Sequence, residues 1–148
     1  MTLTERVVQE LKAAMLAKDA GRTNALRMLK AAIGYAQVEK KTESLPEADV
    51  IALIQREIKR RREAMEQFEK GGRPDLVDKE RGELAVLESF LPPPLAAEEL
   101  EQLVREALQE TGASSRKQMG LVVKAVLAKA AGRADGKTVS EAVAKRLP

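Results

Sequence analysis

The chain has 148 residues, 26 of them basic and 23 acidic, with no cysteine, histidine or tryptophan and only three aromatic residues. That length is enough for one ordinary domain or two small ones, and apolar content drawn from Ala, Leu, Val, Ile and Met favours helix over sheet. Without cysteine there are no disulfides and no thiolate metal sites; without histidine the commonest general base and the commonest neutral metal ligand are both missing.

The charge is unevenly placed. From Ser114 onward eight basic residues stand against two acids, a net of +6, whereas residues 1 to 113 carry a net of −3. A basic tail on an acidic body points to a polyanionic partner. The opening stretch MTLTERVVQELKAAM carries Glu5 and Glu10 among its apolar residues, which makes it an amphipathic helix and not a signal peptide. No apolar run approaches the ~20 residues needed to cross a bilayer. The expectation is a soluble, cytoplasmic protein with no membrane partner.

In chain order, Thr2 or Thr4 caps a first helix with Leu3, Val7, Leu11, Ala14 and Met15 at helical spacing, ending near Asp19 to Gly21. A second runs from about Arg22 to Glu39 with Leu26, Leu29, Ile33 and Ala36 on one stripe. Ser44 with Glu47 forms a capping box, Pro46 fits the first turn, and a third helix follows with Val50, Leu53, Ile54, Ile58, Met65 and Phe68 inward until Gly71-Gly72 stops it. Pro74 opens a fourth, in which Leu76, Val77, Leu84, Leu87, Phe90 and Leu91 are apolar; Gly82 inside it costs ~1 kcal/mol relative to Ala, which suggests close packing there.

The run Leu91-Pro92-Pro93-Pro94-Leu95 breaks any helix and sets a domain boundary. Beyond it three helices are expected: Ala97 to Glu110, Ser115 to Ala130 capped by Ser114 or Ser115, and Gly136 to Leu147 capped by Asp135. No segment alternates like a strand. The fold class is all-α: an N-terminal bundle of about four helices over residues 1–91, a Pro-rich linker, and a small three-helix domain over residues 95–148.

Chemistry finds little support in these residues. Ala131 to Thr138 matches a relaxed phosphate-loop pattern, but a helix precedes it where such loops follow a strand, and Asp135 would set a carboxylate beside the phosphates. Ser114-Ser115 near Lys117 are better used as helix caps than as a serine and lysine pair. Lys59-Arg60-Arg61-Arg62 points in four directions around a helix, with Glu57, Glu63 and Glu66 in reach for pairing. No catalytic residue, metal site or cofactor is assigned.

The basic tail is more informative. Lys117 and Lys124 are seven residues apart on nearly one line of a helix, with Gly120 and Leu121 between them. Gly120 either leaves room for a phosphate backbone or lets a neighbouring helix approach; spacing does not choose. Gly132 to Gly136 is an interhelical turn in which Gly132 ends one helix in a left-handed conformation. Arg133, Gly136 and Lys137 then sit near a fresh helix N-terminus, whose free N–H groups and dipole favour an anion.

These residues also carry a resemblance. Leu26-Arg27-Met28-Leu29-Lys30 with Ala31-Ala32-Ile33, Asp75 to Glu80, Leu91-Pro92, Gly112-Ala113, Met119-Gly120, and Gly132 to Lys137 with Val139 and Val143 resemble the YqeY family over essentially the whole chain. Its members are stand-alone proteins similar to the C-terminal tail domain of the GatB subunit of the glutamine-dependent aminoacyl-tRNA amidotransferase. The resemblance implies an all-helical, two-part protein without catalysis of its own, binding tRNA or other structured RNA through Lys117, Gly120, Lys124, Arg133, Gly136 and Lys137. Kinship to a carbon–nitrogen ligase would then describe descent and not activity. The chain departs from the family pattern at Ala96, where many relatives have Ser, and in the stiffer run of three prolines. Two other readings stand beside this one: an accessory part of the amidotransferase reaction, with amidotransferase subunits as partners, and an adaptor whose basic face meets an acidic protein.

Overall fold

A computed structural model describes residues 1–148. It contains seven α-helices and one short 3₁₀ turn, and no strand: α1 (Leu3–Leu16), α2 (Ala20–Glu39), α3 (Glu47–Lys70), α4 (Pro74–Glu88), α5 (Ala97–Thr111), the turn Arg116–Gln118, α6 (Met119–Ala130) and α7 (Gly136–Ala144). The protein is all-α, and no helix is long and apolar enough to cross a membrane. Two compact units form, Met1–Leu91 with α1 to α4 and Pro92–Pro148 with α5 to α7.

In the first unit the apolar stripes meet in one core of Val7, Leu11, Leu26, Leu29, Ile33, Val50, Ile54, Leu87 and Phe90. Thr2 caps α1 in a capping box with Glu5. Arg6 ties α1 to the end of α4: its guanidinium lies 4.6 Å from the Phe90 ring centre and donates to the Ser89 carbonyl at 2.9 Å.

Several local expectations are corrected. α2 begins at Ala20, capped by Asp19, two residues before the expected start, and Met15 is exposed instead of lying in the α1 stripe. The capping box of Ser44 and Glu47 does not form. Pro46 is the N-cap, without a side-chain bond, and the Glu47 carboxylate instead accepts from the backbone N–H of Leu3 at 3.2 and 3.3 Å. There it meets the positive end of α1, a better position for an anion than its own neighbouring turn. Met65 and Phe68 are only half-buried.

Helix ends show one recurring device. After α1, α2 and α3 the chain turns through a left-handed residue with paired backbone bonds closing the last turn. At α3 that residue is Gly72, but at α1 and α2 it is Lys18 (φ 57°) and Lys41 (φ 52°), where a Cβ makes the conformation costly.

The least expected feature lies next to Gly82. A Cβ added at Gly82 would meet nothing within 4 Å, so no close packing explains the glycine. It is the following residue, Glu83, that is buried, at 2% exposure. Its Oε1 accepts from Asn24 Nδ2 at 2.6 Å, and its Oε2 lies 2.9 Å from Arg61 Nη1. Arg61 Nη1 donates its hydrogen bond to Glu80 at 3.0 Å, so its contact with Glu83 is ionic in character. One buried carboxylate thus joins α2, α3 and α4.

In the second unit Leu100, Val104, Ala107, Val122, Val126, Val139, Val143 and Leu147 form the core. The helix expected from Ser115 starts instead as the 3₁₀ turn Arg116–Gln118, and neither Ser114 nor Ser115 caps it with its side chain. The Gln118 carboxamide oxygen accepts from the Ser114 N–H at 2.9 Å and ties down the segment before the turn, without capping it. Asp135 does cap α7, accepting from Thr138 N–H at 2.7 Å.

Adjacent substitutions in α4 should move stability in opposite directions in urea unfolding. Gly82→Ala is expected to stabilise by ~1 kcal/mol, since the added methyl is unopposed and the helix interior prefers alanine. Glu83→Ala, which removes a partner of the nearly buried Arg61 guanidinium and leaves a void beside it, is expected to destabilise by about 3 kcal/mol.

Candidate nucleic-acid interface

The site is built from the second unit's basic residues, and the fold divides them sharply. α5 carries five acids, and several reach across to the tail. Lys129 Nζ meets Glu110 at 2.7 Å and Glu106 at 3.8 Å; Arg133 Nη1 meets Glu99 at 3.5 Å; Arg146 Nη2 meets Glu101 at 3.8 Å. The hydrogen bond to Glu110 raises the Lys129 ammonium above the ordinary lysine range against the opposing effect of burial, and the charges of Glu110 and Glu106 add to it. Because the folded pKa is raised, the stabilisation this pair gives is complete at neutral pH and is lost only as pH rises above the usual lysine range.

Arg116 is also committed. Its guanidinium donates to the carbonyls of Leu147 and Ala144, both at 3.4 Å, and so satisfies acceptors left open at the C-terminal end of α7.

Four lysines remain outside any ion pair: Lys117, Lys124, Lys137 and Lys145. Lys117 lies on the 3₁₀ turn and Lys124 in α6, separated by roughly 10 Å along the axis. With Gly120, Leu121 and Ala128 they make up the exposed face of α6, while Val122, Val126 and Ala130 are buried on the other. Leu121 is 54% exposed between the two lysines. A Cβ added at Gly120 would meet nothing within 4 Å, so of the two readings of this glycine the close approach of a neighbouring helix is removed. What remains is a flat, open surface between two free cations.

The remaining sequence candidates lie elsewhere. Arg133 sits in the turn before α7 and is used within the unit: Nε donates to the Pro93 carbonyl and its own carbonyl accepts from Leu95 N–H, both at 2.9 Å. It anchors the end of the proline run. The left-handed turn there begins at Ala131 (φ 49°) and continues through Gly132 (φ 84°). Gly136 and Lys137 open α7 and are exposed, but the carboxylate at that helix start is already supplied by Asp135. α7 follows α6 through the turn 131–135, so Lys137 lies by the C-terminal end of α6, away from Lys117. The fold therefore brings Lys117, Gly120 and Lys124 together and leaves Arg133, Gly136 and Lys137 apart from them.

Lys145 was missed by the sequence reading. Arg116 holds the carbonyl of Ala144, the residue before Lys145, so the unpaired Lys145 belongs to the same end of the unit as Lys117. No local spacing relates residues 117 and 145; only the packing of α7 against α6 does.

The Lys59 to Arg62 run is largely paired, as its surrounding acids suggested, though mainly across helices. Arg60 meets Glu57 in its own helix, while Arg61 and Arg62 reach Glu80, Glu83 and Glu88 of α4.

Comparison with known proteins fits this architecture. The family model described as Yqey-like protein matches residues 4–147, and the chain belongs to that family. Among curated proteins it is similar to altered inheritance of mitochondria protein 41, mitochondrial, of three fungi. The Pyrenophora tritici-repentis relative is 32% identical over 96% of this chain and 77% of its own length. The Eremothecium gossypii relative is 34% identical over 62% and 51%, and that of Kluyveromyces lactis 34% identical over 55% and 44%. The match thus spans about half the length of these last two proteins.

These relatives also correct the cytoplasmic expectation, since each is named as mitochondrial. That expectation rested on the lack of a secretory signal and of a spanning apolar run, and neither property distinguishes the cytosol from the interior of an organelle.

Arg133→Ala should lower the stability of the second unit by about 1 kcal/mol, through loss of the charged donor to Pro93 and a half-exposed ion pair. Thermal unfolding of the full chain checks this, and Lys117→Ala, which removes no contact, should leave the transition unchanged.

Proposed function

We propose that this chain is a non-catalytic module for structured RNA, with tRNA the favoured ligand, in which a four-helix N-terminal bundle is joined by the proline run to a three-helix domain related to the GatB tail. The observation that carries the reading is the exposed face of α6: Lys117 and Lys124 flank an open Gly120 and neither has a carboxylate partner, although α5 supplies acids to three other bases of the same unit. A duplex backbone can lie along such a surface, its phosphates meeting the two ammonium groups, with nothing at Gly120 to hold it off. Lys145 adds a third free cation toward the Lys117 end.

The surface is suited to shape and backbone recognition. It has no aromatic side chain on which an unpaired base could stack, and double-stranded RNA is read mainly through its phosphates and 2′-hydroxyls. The resemblance to an amidotransferase tail domain supports tRNA as the particular duplex.

Binding of tRNA should weaken steeply with salt. Lys117→Glu with Lys124→Glu is expected to lower affinity roughly tenfold or more at low salt and to reduce the slope of log affinity against log salt by about 2, while the Lys129→Gln control, whose charge is already paired, changes the slope little. Titration of labelled tRNA over a salt series measures both. A double variant that keeps both the affinity and the slope of the parent removes the proposal.

A further inference from the structure

The outer face of α2 is apolar and belongs to no core. Met28, Ala31, Tyr35 and Val38 are all exposed, Tyr35 at 78% and Val38 at 79%, while Leu26, Leu29 and Ile33 on the other side are buried. The four exposed residues recur at spacings of three, four and three, which places them on one line along the helix. No charged side chain lies on that line: Arg27 flanks it on one side and Glu39 on the other.

A three-four-three spacing reads the same in both directions. Two copies of α2 laid antiparallel about a two-fold axis beside residue 33 set Tyr35 of one copy against Ala31 of the other, and Met28 against Val38. At each layer a larger side chain faces a smaller one, the arrangement that lets facing helices interdigitate. Met28 is held in place from within its own chain, its sulfur accepting an N–H of Arg61.

From this self-complementarity we infer that a second copy of this chain docks antiparallel on α2 through Met28, Ala31, Tyr35 and Val38. Other occupants fit less well. The neighbours of Tyr35 one turn away are Ala31, Ala32, Val38 and Glu39, none of them a cation, so a base stacked on the ring would find no phosphate partner beside it. A lipid surface calls for cations along both edges of the apolar face, and here Glu39 lies on one edge. The stripe is roughly 15 Å long and covers on the order of 400 Å² per copy, about half of what a standard interface buries on each partner. The dimer is therefore a concentration-dependent one. The inference does not rest on the RNA reading, since it uses a different helix of a different unit.

Sedimentation equilibrium of the full chain should show a mass rising from the monomer's 16.2 kDa toward twice that value between about 10 µM and about 1 mM. Tyr35→Glu should hold the chain at the monomer mass across that range with an unchanged melting temperature, because the side chain touches no core. The chain lacks cysteine, so introduced cysteines report the register. Met28→Cys mixed with Val38→Cys should form disulfide-linked dimers on mild oxidation, whereas neither variant alone should, since like positions lie roughly 15 Å apart across the axis. A parent chain that stays monomeric at about 1 mM overturns the inference. So does cross-linking of either single variant as readily as the mixture, or a Tyr35→Glu chain that still dimerises. Sedimentation of a monomeric parent with anionic phosphatidylserine vesicles would also overturn it, assigning the face to a lipid surface.

Discussion

A carboxylate that water barely reaches holds the first unit in register. Its core is built almost wholly from Leu, Ile, Val and Ala, residues that pack well in many arrangements and specify no direction. Glu83 supplies the missing direction: it is buried in α4, takes a hydrogen bond from Asn24 of α2 and sits against Arg61 of α3. Sliding α3 or α4 by one turn would leave the Glu83 carboxylate or the Arg61 guanidinium unpaired away from water, which costs far more than exchanging one aliphatic contact for another. The Glu47 carboxylate on the Leu3 N–H and the Arg6 guanidinium on the Ser89 carbonyl add exposed links at the unit's edges.

The same rule, that charges are consumed by packing before they can serve a ligand, decides the second unit. Its tail looks uniformly basic in composition, yet α5 brings acids to Lys129, Arg133 and Arg146, and α7 occupies Arg116 with its own carbonyls. Net charge therefore overstates the electropositive surface. Outside any ion pair stand Lys117, Lys124, Lys137 and Lys145, of which Lys117 on the 3₁₀ turn and Lys124 in α6 lie on either side of an open Gly120.

Legibility follows the range of each interaction. The stripes Leu26, Leu29, Ile33 and Val50, Leu53, Ile54, Ile58 could be read directly, because helix geometry alone places residues three and four apart on one face. Asp135 was legible as a cap for the same reason: its partner, Thr138, is three residues away. The box proposed for Ser44 and Glu47 used equally good local chemistry, but an N–H from residue 3 claimed the carboxylate. Gly82 invited an explanation by packing when the buried position was its neighbour, since nothing in a run of acids and bases marks which acid faces inward. Among the candidate site residues, spacing put Lys117, Gly120 and Lys124 on one helix, whereas Lys117 falls on the 3₁₀ turn just before α6; the commitment of Arg133 to Pro93 and the placing of Lys145 at the Lys117 end depend on contacts between distant parts of the chain.

By itself the sequence determined the helical class, the family, the caps at Thr2 and Asp135 and most of each inward stripe, because those depend on propensity and on a fixed rise and rotation per residue. Tertiary packing alone decided which cations stay free, which acid is buried, and that α2 presents Met28, Ala31, Tyr35 and Val38 to solvent. These outcomes are set by which groups from remote segments arrive first at a charge or an apolar face, and no local period encodes that.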